Sequence, residues 1–181
     1  MQVKSLFLQH FHLDQTYYLM SGRCARLLNE YFNALDVHNK SGLNDIQFSN
    51  LMKVITDLTQ TEILFLFELF DLDASGILEF GEFYLMVCIL IATKDNIMKG
   101  FIHMHSRVVF DLLDANSSGT ISVSEFKKYG FFFDFTPDAI NGVFHEFDVS
   151  HDQVLDYREF RMFALACVNS KKEMNREEVV C

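Results

Sequence analysis

Four times along the chain, apolar residues at helical spacing give way to a polar run of about a dozen residues. Each run holds an aliphatic side chain at its eighth position and is followed directly by a phenylalanine: Phe48, Phe83, Phe126 or Phe160. Helix, loop, helix is therefore predicted four times over, and the fold class is mainly α. The runs start at 36, 71, 114 and 148, so the spacing is 35 and 34 residues within two pairs but 43 between them. Two lobes follow, at 23–95 and 106–168, joined by a connector at 96–105 within TKDNIMKGFIHMHSR (93–107), with Gly100 as its bend. Thr59 and Glu62 have capping-box spacing, and Thr136 precedes Pro137, the single proline, at a first helical position. Val3, Leu6, Phe7, Phe11, Leu13, Tyr17, Leu19 and Met20 make an imperfect helical pattern, from which an N-terminal helix is expected over 1–22. The tail at 169–181 mixes charge signs and reads as a solvated helix end.

The polar runs carry chemistry. DLDASGILEFGE (71–82) offers Asp71, Asp73 and Ser75 at positions 1, 3 and 5, Gly76 for a sharp turn, the Ile77 carbonyl at 7, and Glu79 and Glu82 at 9 and 12. This is the oxygen spacing by which an EF-hand loop wraps Ca²⁺, a hard cation that takes six to eight oxygens. DANSSGTISVSE (114–125) repeats it with Asp114, Asn116, Ser118, Thr120, Ser122 and Glu125, but with two charged ligands, and so is expected to bind more weakly. DVSHDQVLDYRE (148–159) supplies Asp148, Ser150, Asp152, Val154, Asp156 and Glu159, yet Gln153 stands where a left-handed backbone favours glycine. DVHNKSGLNDIQ (36–47) keeps Asp36 but has His38, Lys40 and Gln47 at positions 3, 5 and 12, and is expected to hold no ion. Leu43 and Leu78, and likewise Ile121 and Leu155, are placed to pair in short antiparallel β contacts between loops. The expected architecture is thus four EF-hands in two paired lobes. A helical solenoid shares the period, but its turns do not need Asp-x-Asp-x-Ser-Gly.

Composition narrows the function classes. A formal charge of −10 speaks against nucleic acid, and much of it lies in the loops. Cys24, Cys88, Cys167 and Cys181 are scattered without C-x-x-C spacing, as expected of a reducing compartment. The start lacks the features of a signal peptide or a Met-Gly acylation site, and the apolar run FYLMVCILIA (83–92) is about half a membrane span. A cytoplasmic location is expected. Half of the residues are apolar and 20 are phenylalanine; most of these are read as packing between paired helices, with one apolar groove filled by a protein partner.

His103 and His105 form an H-x-H pair without neighbouring ligands to complete a zinc site. His38 and His151 lie inside loops 1 and 4, where protonation would oppose a cation and make affinity rise with pH. No P-loop, G-x-S-x-G or H-E-x-x-H is present, and no enzymatic activity is expected.

The strings YFNALDVHNKSGLND (31–45), FYLMVCILIA (83–92) and HSRVVFDLLD (105–114) resemble the EF-hand calcium-sensor auxiliary subunits of CatSper, the sperm flagellar cation channel, within the calmodulin-like superfamily. The resemblance covers roughly 5–168. It implies attachment beneath the channel's pore subunits together with the accessory partner CatSper zeta, and gating tuned by calcium and pH. A calcium buffer, or a regulatory subunit of a soluble enzyme on the pattern of calcineurin B, remains as an alternative.

Overall fold

A computed structural model describes residues 2–4, 8–133 and 135–177, with side chains described up to 167. The chain divides into two compact units, Met1–Asn96 and Ile97–Cys181.

Among the described residues ahead of the first repeat, the helix expected over 1–22 is replaced by shorter elements. A 3-10 turn at Leu8–His10 leads into a hairpin of β1 (Leu13–Asp14) and β2 (Leu19–Met20), with Leu13 opposite Met20. The reason lies in the turn. Asp14 Oδ1 accepts from the amides of Thr16 at 2.8 Å and Tyr17 at 3.2 Å, and Tyr18 takes a left-handed φ of 53°. Such local bonding competes with a helix. Leu8, Phe11, Leu13 and Met20 are buried, so the apolar pattern was real but served a hairpin; Leu6 and Phe7 lie outside the described residues. Val3 bridges Thr56, Lys4 N donates to Ile55 O at 2.8 Å, and Gln2 N donates to Asp57 Oδ1 at 2.7 Å.

Helices α1 (Gly22–Leu35) and α2 (Asp45–Ile55) flank loop 1, and α3 (Gln60–Phe70) and α4 (Phe80–Lys94) flank loop 2. Thr59 and Glu62 do form a capping box at the start of α3. Strands β3 (Gly42–Leu43) and β4 (Leu78–Glu79) join the loops antiparallel, with Leu43 opposite Leu78 as the sequence predicts. Beneath them Phe32 meets Phe83 at 5.2 Å and Phe48 meets Phe67 edge-on at 5.5 Å.

In the second unit α5 (Met98–Met104) precedes α6 (Ser106–Leu113), loop 3, α7 (Val123–Tyr129) and a 3-10 turn at Gly130–Phe133. Then come α8 (Pro137–Phe147), capped by Thr136, loop 4 and α9 (Tyr157–Glu177). Strands β5 (Thr120–Ser122) and β6 (Val154–Asp156) pair Ile121 with Leu155. Gly100 is not the connector's bend but lies within α5. The chain turns instead at Asn96, with φ of 55°, and at His105, with φ −111° and ψ 32°. Burial of Met98, Phe101 and Ile102 outweighs the weak helix propensity of one glycine. The backbone of α9 carries on through most of the tail, and residues 178–181 lie outside the described ones.

Phe48, Phe83, Phe126 and Phe160, the residues that close the four loops, are at most 1% exposed. Phe126 sits at the centre of a ring cluster with Phe135, Phe144, Phe160 and Phe163. No phenylalanine is among the large exposed apolar side chains of the described residues.

Candidate metal sites

Each of the four loops starts where a helix ends. Asp36, Asp71, Asp114 and Asp148 each cap the preceding helix by an amide bond to the carbonyl four residues back, from Phe32, Phe67, Phe110 and Phe144. The backbone then turns left-handed at positions 4 and 6: Asn39 and Ser41, Ala74 and Gly76, Ser117 and Gly119, His151 and Gln153. Only glycine adopts that conformation freely, so at position 6 the φ of 62° at Ser41 and 65° at Gln153 hold strain that Gly76 and Gly119 spare loops 2 and 3. The position-1 carboxylate sets the turn by accepting amides from inside the loop. Asp71 Oδ1 and Oδ2 take Ser75 N and Gly76 N at 2.9 Å each, and Asp114 takes Ser118 N at 2.9 Å and Gly119 N at 2.8 Å. Asp148 takes Asp152 N at 3.2 Å and Gln153 N at 3.0 Å.

Position 12 is the third residue of each exiting helix, where its side chain can accept the position-9 amide. Glu82 Oε2 accepts from Glu79 N at 2.8 Å, Glu125 Oε2 from Ser122 N at 2.9 Å, and Glu159 Oε2 from Asp156 N at 3.1 Å. The second carboxylate oxygen separates the loops. Glu82 Oε1 takes Leu72 N at 2.9 Å, and Glu159 Oε1 takes Val149 N at 2.9 Å and Ser150 N at 3.0 Å. Glu125 Oε1 is buried and takes nothing. An anionic oxygen without a donor is costly inside a protein, and a cation in loop 3 would satisfy it. The donor set of loop 3 therefore fits Ca²⁺.

Loop 2 fits by geometry. One carboxylate oxygen from each of Asp71, Asp73 and Glu82 lies within 4.8 Å of the others. Two oxygens bound at 2.3–2.6 Å to one Ca²⁺ can be at most about 5 Å apart, so the three can share an ion. Ser75 Oγ lies between them, bonded to Asp71 Oδ1 at 3.3 Å and to the Ile77 carbonyl at 3.0 Å, and Glu79 is exposed beside them. The gathered charge shows in their protonation. Burial chiefly, with the charges of Asp73 and Asp71 added, raises the Glu82 carboxyl above its ordinary range, although the Glu79 and Leu72 amides pull the other way. Ser75, through hydroxyl and amide, holds Asp73 below its own.

In loop 3, Ser118 Oγ donates to the Thr120 carbonyl at 3.0 Å and Asn116 Oδ1 accepts Ser118 N at 2.9 Å, the same arrangement with one charge fewer. In loop 4, Asp152 Oδ1 accepts Val154 N at 3.1 Å, Asp156 Oδ1 accepts Glu159 N at 2.8 Å, and Ser150 Oγ donates to Asp148 at 3.3 Å. Its carboxylates are occupied by the loop's own amides and are not drawn as close together as the three of loop 2.

Loop 1 closes by another bond, one that spacing does not show. Gln47 Oε1 accepts Asn44 N at 3.0 Å while its Nε2 donates to the carbonyl of Leu35, at the end of α1, at 3.0 Å. A glutamate cannot make that second bond, because an ionised carboxylate has no donor. Asp36 accepts Lys40 N and Ser41 N at 3.0 and 2.8 Å, so its carboxylate is used within the loop. His38 and Lys40 are exposed.

Residues 104–165, the helix–loop–helix pair of the second unit, match the family model of the EF-hand domain pair. Similarity extends to calcium-dependent protein kinase 11 of Oryza sativa subsp. japonica, 29% identical over 134 residues, 74% of this chain and 22% of the kinase. It extends also to calcium-binding protein J of Dictyostelium discoideum, 30% identical over 104 residues, 57% of this chain and 50% of that protein. The chain thus spans half or less of the length of either relative.

Proposed function

We propose that the protein is a calcium sensor that binds Ca²⁺ through loops 2, 3 and 4 and acts by regulating a protein partner. The observation that carries the reading is the buried, donor-free Glu125 Oε1 in a loop whose backbone matches that of the gathered carboxylates in loop 2. The ligands are Asp71, Asp73, Ser75, Ile77, Glu79 and Glu82; Asp114, Asn116, Ser118, Thr120, Ser122 and Glu125; and Asp148, Ser150, Asp152, Val154, Asp156 and Glu159. In each loop the bidentate position-12 glutamate would leave its amide donors for the ion and draw the exiting helix with it, changing the angle between paired helices. Titration calorimetry of the purified chain is expected to give three sites per molecule, and one site or none would sink the assignment.

The partner we propose is the CatSper channel, through CatSper zeta and the pore subunits at the inner face of the flagellar membrane. This rests on the resemblance of 31–45, 83–92 and 105–114 to the channel's EF-hand subunits. No described helix is long and apolar enough to cross a membrane, so attachment would be through protein contacts. Affinity capture from detergent-solubilised sperm, washed with Ca²⁺ or chelator, is expected to retain channel subunits. A second reading, a calcium-regulatory module acting on a soluble enzyme, is favoured by the similarity to a calcium-dependent kinase; retention of an enzyme in place of channel subunits would support it.

A further inference from the structure

We propose that α5 is a built-in occupant of the apolar groove of the second unit, which must leave before a partner helix of the same apolar pattern can enter. Its pattern is that of a helix laid in a groove. Met98, Phe101 and Ile102, at i, i+3 and i+4, are 7%, 1% and 1% exposed, whereas Lys99 and Met104 face solvent. Anchors at that spacing are how an amphipathic segment is held by an apolar cleft.

Little else holds α5 helical. It is seven residues long, contains Gly100, and has no side-chain cap at its N-terminal end. It is separated from α4 by left-handed Asn96 and from α6 by the break at His105. A free helix of that length is unstable in water, so its order comes from the side chains it lies on. Its principal neighbour is α9; Lys99 of α5 and Cys167 of α9 line one cavity, where burial chiefly pushes the Cys167 thiol up to about 11 and the Lys99 charge offsets part of that.

The groove is also incompletely filled. Beside Met98, Lys99 and Ile102 a cavity of about 550 Å³ opens onto Phe133, Phe135, Val143, Phe147 and Phe163, from the 3-10 turn, the segment that follows it, α8 and α9. A helix with bulkier or more numerous anchors would cover wall that α5 leaves bare. The inference stands on packing alone and does not depend on metal binding by loops 3 and 4.

The test uses the full chain and a fluorescein-labelled peptide spanning residues 94–105, followed by anisotropy in Ca²⁺ and in chelator. Substituting Phe101→Ala together with Ile102→Ala should loosen α5, and the peptide should then bind at least ten-fold more tightly than it binds the native chain. A second variant, Lys99→Cys, is oxidised to join Cys167. The tethered form should lose peptide binding, and reduction should return it to the native level. Equal peptide affinity for native and loosened chains, failure of the tether to form, or a tether without effect on the peptide would each overturn the proposal.

Discussion

At the scale of single residues, the side chain at position 12 decides what a loop of this backbone does. Glu82, Glu125 and Glu159 can turn both oxygens to a cation, whereas Gln47 spends its amide on Leu35 O and Asn44 N. Glu82→Gln is accordingly expected to remove about one calcium site with the helical circular-dichroism signal unchanged. An undiminished stoichiometry would show that loop 2 holds no ion. Gln153 lies at φ 65°, and Gln153→Gly should relieve about 1 kcal/mol of left-handed strain. A roughly five-fold gain in loop 4 affinity follows if the strain opposes the bound form; thermal melts and calorimetry would report both. Burial pushes the Cys88 thiol up to about 11, although the Tyr84 hydroxyl and the Met20 amide pull it down. Below that pH the folded chain should keep Cys88 as the unreactive thiol, and Ellman's reagent should modify it only after unfolding. The loop positions were legible because each repeat places its oxygen side chains at a fixed spacing. The Gln47 bond was not, since its acceptor lies twelve residues earlier and is brought near only by the folded loop.

At the scale of elements, helix ends were easy to read and short non-helical segments were not. Thr59 with Glu62, and Thr136 with Pro137, cap α3 and α8 because capping is a bond between near neighbours in sequence. Thr59→Ala should cost about 1 kcal/mol, measured as a lower urea midpoint. Gln47→Ala should cost about 1–3 kcal/mol, since it leaves the partly buried Asn44 amide without a partner and the Leu35 carbonyl with the Val37 amide as its remaining donor. The segment ahead of α1 misled because its apolar residues fit a helical period, while the choice was made by Asp14 in the turn and by the α2 end that residues 2–4 pair with. The Gln2 amide is the main cause that lowers the Asp57 carboxyl below its ordinary range. A carboxylate with a depressed folded pKa contributes fully above about pH 4 and loses that contribution as pH falls through the folded value. Amide exchange at Lys4 should therefore be slow at pH 6 and quicken near pH 3, beyond the change in intrinsic rate.

For the whole molecule, a formal charge of −10 makes calcium and stability interdependent, because bound cations relieve repulsion among the loop carboxylates. Free Ca²⁺ at a hundred times the dissociation constant adds about 2.7 kcal/mol for each independent site. The melting temperature should rise with calcium and fall back on adding chelator; a melt indifferent to calcium would argue that no loop binds the native state selectively. Sequence alone determined the number of helix–loop–helix units, where each loop begins, and the Leu43–Leu78 and Ile121–Leu155 pairings, because each follows from spacing within or between repeats. Tertiary structure alone decided what the rest of the chain does. It made a hairpin of the N-terminal segment, set a helix across Gly100, left Glu125 Oε1 without a donor, and let Gln47 bridge its loop. Apart from the local bonds of Asp14 in the hairpin turn, each of these outcomes turns on a partner distant in sequence or on solvent being excluded, and neither is written in local periodicity.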